Sequence, residues 1–137
     1  MECLINIDVP DLELGTRFYT EAFALTVGRR FGADGIELLG GPAPLYLLAK
    51  PEGTSAFTDG EPRRYTRHWT PVHLDFVVRD IGAAVRTATL AGAQLERELS
   101  SHAWGRLALM SDPFGHGFCF VQFSALGYDA LTQGPRP

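Results

Sequence analysis

Two polar residues interrupt the strand-forming run TPVHLDFVVRD, residues 70–80: His73 and Asp75. Spacing of two places both side chains on one face of an extended strand. An imidazole there can take up a proton near neutral pH, and a carboxylate beside it can orient or tune the ring. That pair fits proton abstraction next to a carbonyl, the step of an isomerase or lyase, with His73 as general base and Asp75 holding it. The alternative is a wet strand face on which the two only bond each other, water or the backbone. Cys119, in GHGFCFVQF, is a third candidate: a thiol becomes a nucleophile when a neighbour lowers its pKa, and a place beside His73 would be the one source of that. Flanked by Phe118 and Phe120, a cysteine is more often small core filling. His102 and His116 read as loop and turn residues.

The elements that must carry these groups come from an internal repeat. Residues 4–11, LINIDVPD, and 73–80, HLDFVVRD, superpose at an offset of 69 (73 minus 4, 80 minus 11). Ile5, Ile7 and Val9 share one side of the first strand, and Leu74, Phe76 and Val78 one side of the second. Each strand runs into an aspartate suited to cap a helix, Asp11 and Asp80. An apolar stripe of Leu14, Phe18 and Ala22 follows the first, and Ile81, Ala84, Val85 and Ala88 the second. Both helices stop at small-residue corners around Ala24 and Gly92. Three short strands then follow in each half, over 26–31, 35–39 and 45–50, and over 94–99, 105–111 and 117–123. Aligning Tyr46 with Cys119 raises the offset to 73. A β-α-β-β-β unit cannot cover its own sheet with one helix, so two units must pair, and pairing encloses a cavity.

The chain has 137 residues, 45% hydrophobic and 20% charged, which is ordinary for one globular domain. Its net charge of -4 gives no electrostatic footprint for nucleic acid or an anionic membrane surface, and neither is an expected partner. No apolar stretch reaches the roughly 20 residues of a membrane span, and Met1-Glu2-Cys3-Leu4 lacks a basic signal-peptide start. A cytoplasmic protein is the expectation. Cys3 and Cys119 have neither the number nor the spacing of a disulfide framework or a zinc site and read as free thiols.

The succession of strand, Val-x-Asp, amphipathic helix, small-residue corner, Trp104-Gly105, Asp112-Pro113-x-Gly115-x-x-x-Cys119 and final strand resembles the vicinal oxygen chelate superfamily of glyoxalases, bleomycin-resistance proteins and extradiol dioxygenases. The resemblance spans nearly the whole chain apart from the linker and the tail after Phe123. It implies an α+β fold in which two β-α-β-β-β modules form a curved mixed sheet around a ligand cavity, with helices outside, and a homodimer. The expected divisions of this single domain are module one at about 1–50, a linker at about 51–70, module two at about 71–124 and a tail at 125–137.

Metal-dependent members of the superfamily place ligands on the first and last strands of each module. Here those places fall on Leu4, Tyr46, His73 and Cys119. Leucine has no donor and tyrosine is an uncommon ligand, so the usual metal is not expected and no cofactor is predicted. A divalent metal would bind only if His73 and Cys119 recruited ligands such as Asp75, Asn6 or Asp8, and a thiolate would then favour zinc or copper(I). Strand parity turns Asn6, Asp8, Tyr46, Leu48, His73, Asp75 and Cys119 toward the cavity, a polar set suited to a small molecule with oxygen or nitrogen functions. The linker places Arg63, Arg64 and Arg67 beside Tyr65 and Trp69, either a lip that grips an anionic or aromatic ligand or a solvated basic stretch. Trp104 either walls the cavity or packs under the sheet. Two functions follow: binding of a small organic molecule between the modules without the usual metal, or an isomerase or lyase using His73 as base.

Overall fold

The computed structural model describes residues 1–132; the last five residues of the tail expected at 125–137 lie outside the described residues. The element order is β1 (Ile5–Val9), α1 (Leu12–Phe23), β2 (Thr26–Phe31), β3 (Gly35–Leu39) and β4 (Leu45–Ala49), then β5 (Leu74–Val77), α2 (Ile81–Ala91), β6 (Gln94–Leu95), β7 (Ser100–His102), β8 (Gly105–Ser111) and β9 (Gly117–Phe123). A short 3₁₀ turn over Gly127–Leu131 follows. This is the α+β, twice-used β-α-β-β-β plan read from the sequence.

Both helices start where the aspartates dictate. Leu14 N–H donates to Asp11 Oδ1 and Ala83 N–H to Asp80 Oδ1, each at 2.9 Å, which satisfies an amide that the first turn leaves without a helical partner. They end on left-handed residues, Ala24 with φ 52° and Gly92 with φ 118°. The first sheet runs β1-β4-β3-β2 and the second β5-β9-β8-β6, with β7 also on β8. β1 pairs parallel with β4, Asn6 opposite Tyr46, and β5 pairs parallel with β9, Asp75 opposite Cys119. The offset of 73 between Tyr46 and Cys119 is therefore a real equivalence of register.

One expected strand is different. Of residues 94–99 only Gln94 and Leu95 pair with β8, and Ser100–His102 forms an additional strand opposite Leu107, Arg106 and Gly105. The ladder breaks where Glu96 turns its carboxylate to Arg67 of the linker and the exposed Arg97 and Glu98 leave the sheet.

The two sheets share one core. Val9, Ile36, Leu38 and Leu47 of the first module and Ile81, Met110 and Phe120 of the second are almost wholly buried in a single cluster. Helices α1 and α2 pack on each other, and α1 reaches into the second module. Phe23 lies 4.5 Å from the Phe76 ring and under 6 Å from Phe118 and Phe120. Tyr19 donates its hydroxyl to buried Asp112 at 2.6 Å.

Candidate functional site

β1 and β5 are the facing edges of the two sheets, and a cavity of about 510 Å³ opens between them. Ile5, Leu74, Phe76 and Phe118 give it apolar walls, and Asn6, Asp8, His73 and His116 supply polar groups. The edges come together because α1 is bolted to the second module by Phe23 and Tyr19. The side chain of Asp8 is already engaged: Arg63 Nε donates to its Oδ2 at 2.6 Å, and its carbonyl oxygen accepts from His116 Nε2 at 2.7 Å.

The seven residues assigned to one inward-facing set divide into three places. Asn6, Asp8 and His73 line the seam cavity. Tyr46 belongs to a network on the open face of the first sheet. Its hydroxyl donates to Glu37 Oε1 at 2.8 Å, and Arg29 grips the same carboxylate through Nη2 at 2.5 Å and through Nε at 3.2 Å to Oε1 and 3.1 Å to Oε2. Glu37 is 5% exposed. Arg29, donating from side chain and backbone, together with Tyr46 holds its carboxyl down to about 2, the donors outweighing the burial that favours the neutral form. The Tyr46 hydroxyl is pushed up by the same carboxylate, so it stays a donor. Leu48 is half-buried on the same strand, directly opposite Asp8 in the β1–β4 register.

The third place is the face of the second sheet that carries Asp75 and Cys119, and His73 borders both it and the cavity. His73 Nε2 lies 3.3 Å from Asp75 Oδ1, and register sets Asp75 directly opposite Cys119. Donor atoms of His73, Asp75 and Cys119 all lie within 4.8 Å of one another. Burial, reinforced by the adjacent Asp75 carboxylate, pushes the Cys119 thiol up to about 11. As a free thiol it therefore stays protonated at neutral pH, which argues against the nucleophile reading: the neighbour that matters is a carboxylate, and it works in the wrong direction.

Across the two modules the repeat-related positions are Leu4 and His73, Asn6 and Asp75, Tyr46 and Cys119, and Glu37 and Leu109. The first module has thus moved its carboxylate one strand over and closed it with Arg29. The four-ligand metal set implied by the resemblance does not fit these residues. Leu4 offers no donor atom, and the Tyr46 hydroxyl is already spent on Glu37.

The linker is more than a solvated stretch. Arg67 is paired with Glu96, its guanidinium lies 5.5 Å from the Trp69 ring centre, and Trp69 lies 4.6 Å from the His73 ring. Trp69 thus borders the His73 group, while Arg63 and Arg67 are committed to carboxylates of the protein. Trp104 is elsewhere. It stacks on His102 at 4.8 Å and packs with Phe123 and Tyr128, away from the lining of the seam cavity. The added strand β7 brings His102 over its ring.

Three residues of these sites escaped sequence reasoning. Glu37 has a signal in retrospect: a carboxylate in the otherwise apolar GIELL must find a cation, and Val27-Gly28-Arg29-Arg30 is the neighbouring strand. Arg29 is that cation. Gly28 leaves room for it, since a Cβ there would lie 2.5 Å from Glu37 Oε2. His116 has no comparable signal, because its approach to Asp8 depends on how the modules meet.

Comparison with known proteins agrees with the architecture. A sequence model described as a glyoxalase-like domain matches residues 4–121. No curated protein shows a significant sequence match. Among solved structures, a glyoxalase/bleomycin resistance protein/dioxygenase family enzyme from Burkholderia phytofirmans superposes with a TM-score of 0.69 at 17% identity, covering 88% of this chain and 97% of its own. A genomically encoded fosfomycin resistance protein from Listeria monocytogenes gives 0.69 at 14% identity over 91% and 94%. A lactoylglutathione lyase from Agrobacterium tumefaciens gives 0.63 at 16% identity over 89% and 92%. Identities this low carry the fold and not the activity.

Proposed function

The chain belongs to the glyoxalase-like domain family, and from that premise we propose that it binds a small organic molecule in the cavity between β1 and β5, without the four-ligand metal of the superfamily. One observation carries this reading: the cavity itself. Its roughly 510 Å³ falls within the range of small-molecule sites, which combine apolar walls with a few polar groups that fix orientation. Ile5, Phe76 and Phe118 suit an aromatic or other apolar body, and Asn6 and His73 suit its oxygen or nitrogen functions. The likeness to a protein named for fosfomycin resistance is in keeping with a small organic molecule as the ligand. Exposed Phe31, Leu39 and Val77 favour a homodimer, for which sedimentation at micromolar concentration is the check; a monomer at all concentrations removes it.

The test of binding is a calorimetric titration against a panel of aromatic and cationic compounds, with fluorescence of Trp69, the indole beside His73, as a second signal. Saturable one-to-one binding that weakens at least roughly tenfold in His73→Ala is the expected result, about 1.4 kcal/mol. Flat isotherms across the panel would sink the reading.

The His73–Asp75 contact of 3.3 Å favours a second reading, an isomerase or lyase that removes a proton next to a carbonyl. Nε2 faces Asp75 at that distance, so Nδ1 is the ring nitrogen left to accept the proton, and Asp75 stabilises the imidazolium that forms. Turnover of a confirmed substrate should fall in His73→Ala. Unchanged turnover removes His73 from the chemistry.

A further inference from the structure

We infer that His73, Asp75 and Cys119 form a metal site of their own, selective for soft or borderline ions such as zinc, built entirely on the second module. This goes beyond the ligand cavity and does not depend on it. The superfamily plan needs one ligand strand pair from each module, and the first module cannot supply its share. The second module supplies three donors by itself.

The fold places these donors by register and not by chance proximity. Asp75 and Cys119 are direct partners across the parallel β5–β9 pair, and His73, the residue immediately before β5, has its Nε2 3.3 Å from Asp75 Oδ1. Their donor atoms lie within 4.8 Å of one another. A tetrahedral zinc with bonds of about 2.0–2.3 Å would bring such donors to roughly 3.5 Å apart. Rotation of the His73 and Asp75 side chains, 33% and 40% exposed, covers that difference while Cys119, 4% exposed, stays in place. The ion would sit on a buried sulfur with its fourth position turned outward, the arrangement of three protein ligands and one open place.

The donor set also selects among ions. A thiolate and an imidazole favour zinc or copper(I), whereas magnesium, calcium and manganese prefer oxygen alone. Because the ligating sulfur is the thiolate, uptake must displace the Cys119 proton, and affinity must rise with pH.

The experiment is a titration of the full chain, purified without chelator and stripped of metal, with zinc in competition with a chromophoric chelator and with cobalt(II) followed optically. The expected result is one equivalent bound, with a thiolate-to-cobalt charge-transfer band and the intense visible bands of tetrahedral cobalt. Cys119→Ser should abolish the charge-transfer band and Cys3→Ser should leave it. Asp75→Asn and His73→Ala should each weaken zinc by roughly a hundredfold or more, since losing even an outer-shell partner costs about 10–100-fold. Should Cys119→Ser fail to fold, the His73→Ala and Asp75→Asn affinities still decide. Absence of the charge-transfer band, or a band that survives Cys119→Ser and vanishes in Cys3→Ser, would overturn the proposal. Zinc affinity unchanged in both His73→Ala and Asp75→Asn would overturn it equally.

Discussion

Glu37 is the residue whose environment is most clearly decided by its donors. Its carboxyl is lowered to about 2 from the ordinary 4.5, so the charged form is favoured by folding. The stabilisation is complete above about pH 4.5, where the unfolded chain also carries the charge, and is lost as pH falls toward 2. Arg29 is 69% exposed on its side chain, so solvent and salt weaken the effect. Glu37→Gln should be less stable than the parent at neutral pH and should lose less of its stability between pH 4.5 and 2, as read from urea midpoints. Parallel pH profiles for the two proteins would remove Glu37 from the acid transition. His73, Asp75 and Cys119 could be singled out from strand parity because their mutual geometry is set by one parallel pair. Glu37 and Arg29 carry a weaker signal, a carboxylate in an apolar strand beside an arginine-bearing one, whereas His116 carries none because its approach to Asp8 depends on how the modules meet.

Among elements, the linker shows most plainly how position is transmitted to the site. Gly115 has φ 86°, a left-handed conformation, and a Cβ there would lie 2.7 Å from the Thr66 carbonyl oxygen. A Cβ at Gly117 would meet Arg67 and Trp69 at 2.7 and 3.0 Å. The turn before β9 therefore serves as the seat on which residues 65–69 rest, and through it Trp69 is held against His73. Gly115→Ala should cost more than about 1 kcal/mol, since it combines an unfavourable φ with a backbone collision. It should also change the Trp69 fluorescence. Unaltered stability and emission would show that the linker is not seated this way. The sequence read that turn correctly as a turn but carried no sign of its load. Strands β2, β3, β8 and β9 were legible to the residue because Gly, Pro and Asp punctuate them. β7 was not, since Ser100-Ser101-His102 has weak strand preference and pairs only because Leu107 and Arg106 present an open ladder.

At the scale of the whole molecule, the site exists only while the two modules stay together, because the cavity is the gap between their edge strands. A unit of about 50 residues buries too little surface to be stable alone, so the joint must contribute to the stability of both. Phe23 is its centre: it leaves the end of the first helix and packs among Phe76, Phe118 and Phe120. Tyr19 adds a hydroxyl bond to buried Asp112, whose other oxygen receives the Phe114 and His116 amides of the turn beneath the linker. Burial and the carboxylate together push the Tyr19 hydroxyl well above its ordinary range, so it remains a donor at neutral pH. Phe23→Ala should then cost about 2–4 kcal/mol, somewhat below the figure for a wholly buried phenylalanine. The loss should appear as faster amide exchange in β5 and β9 as well as in α1, with one cooperative unfolding transition before and after the change. If the amides of β5 and β9 kept their protection while α1 lost its own, the modules would be folding separately. The seam would then owe its 510 Å³ cavity to contacts other than this aromatic cluster.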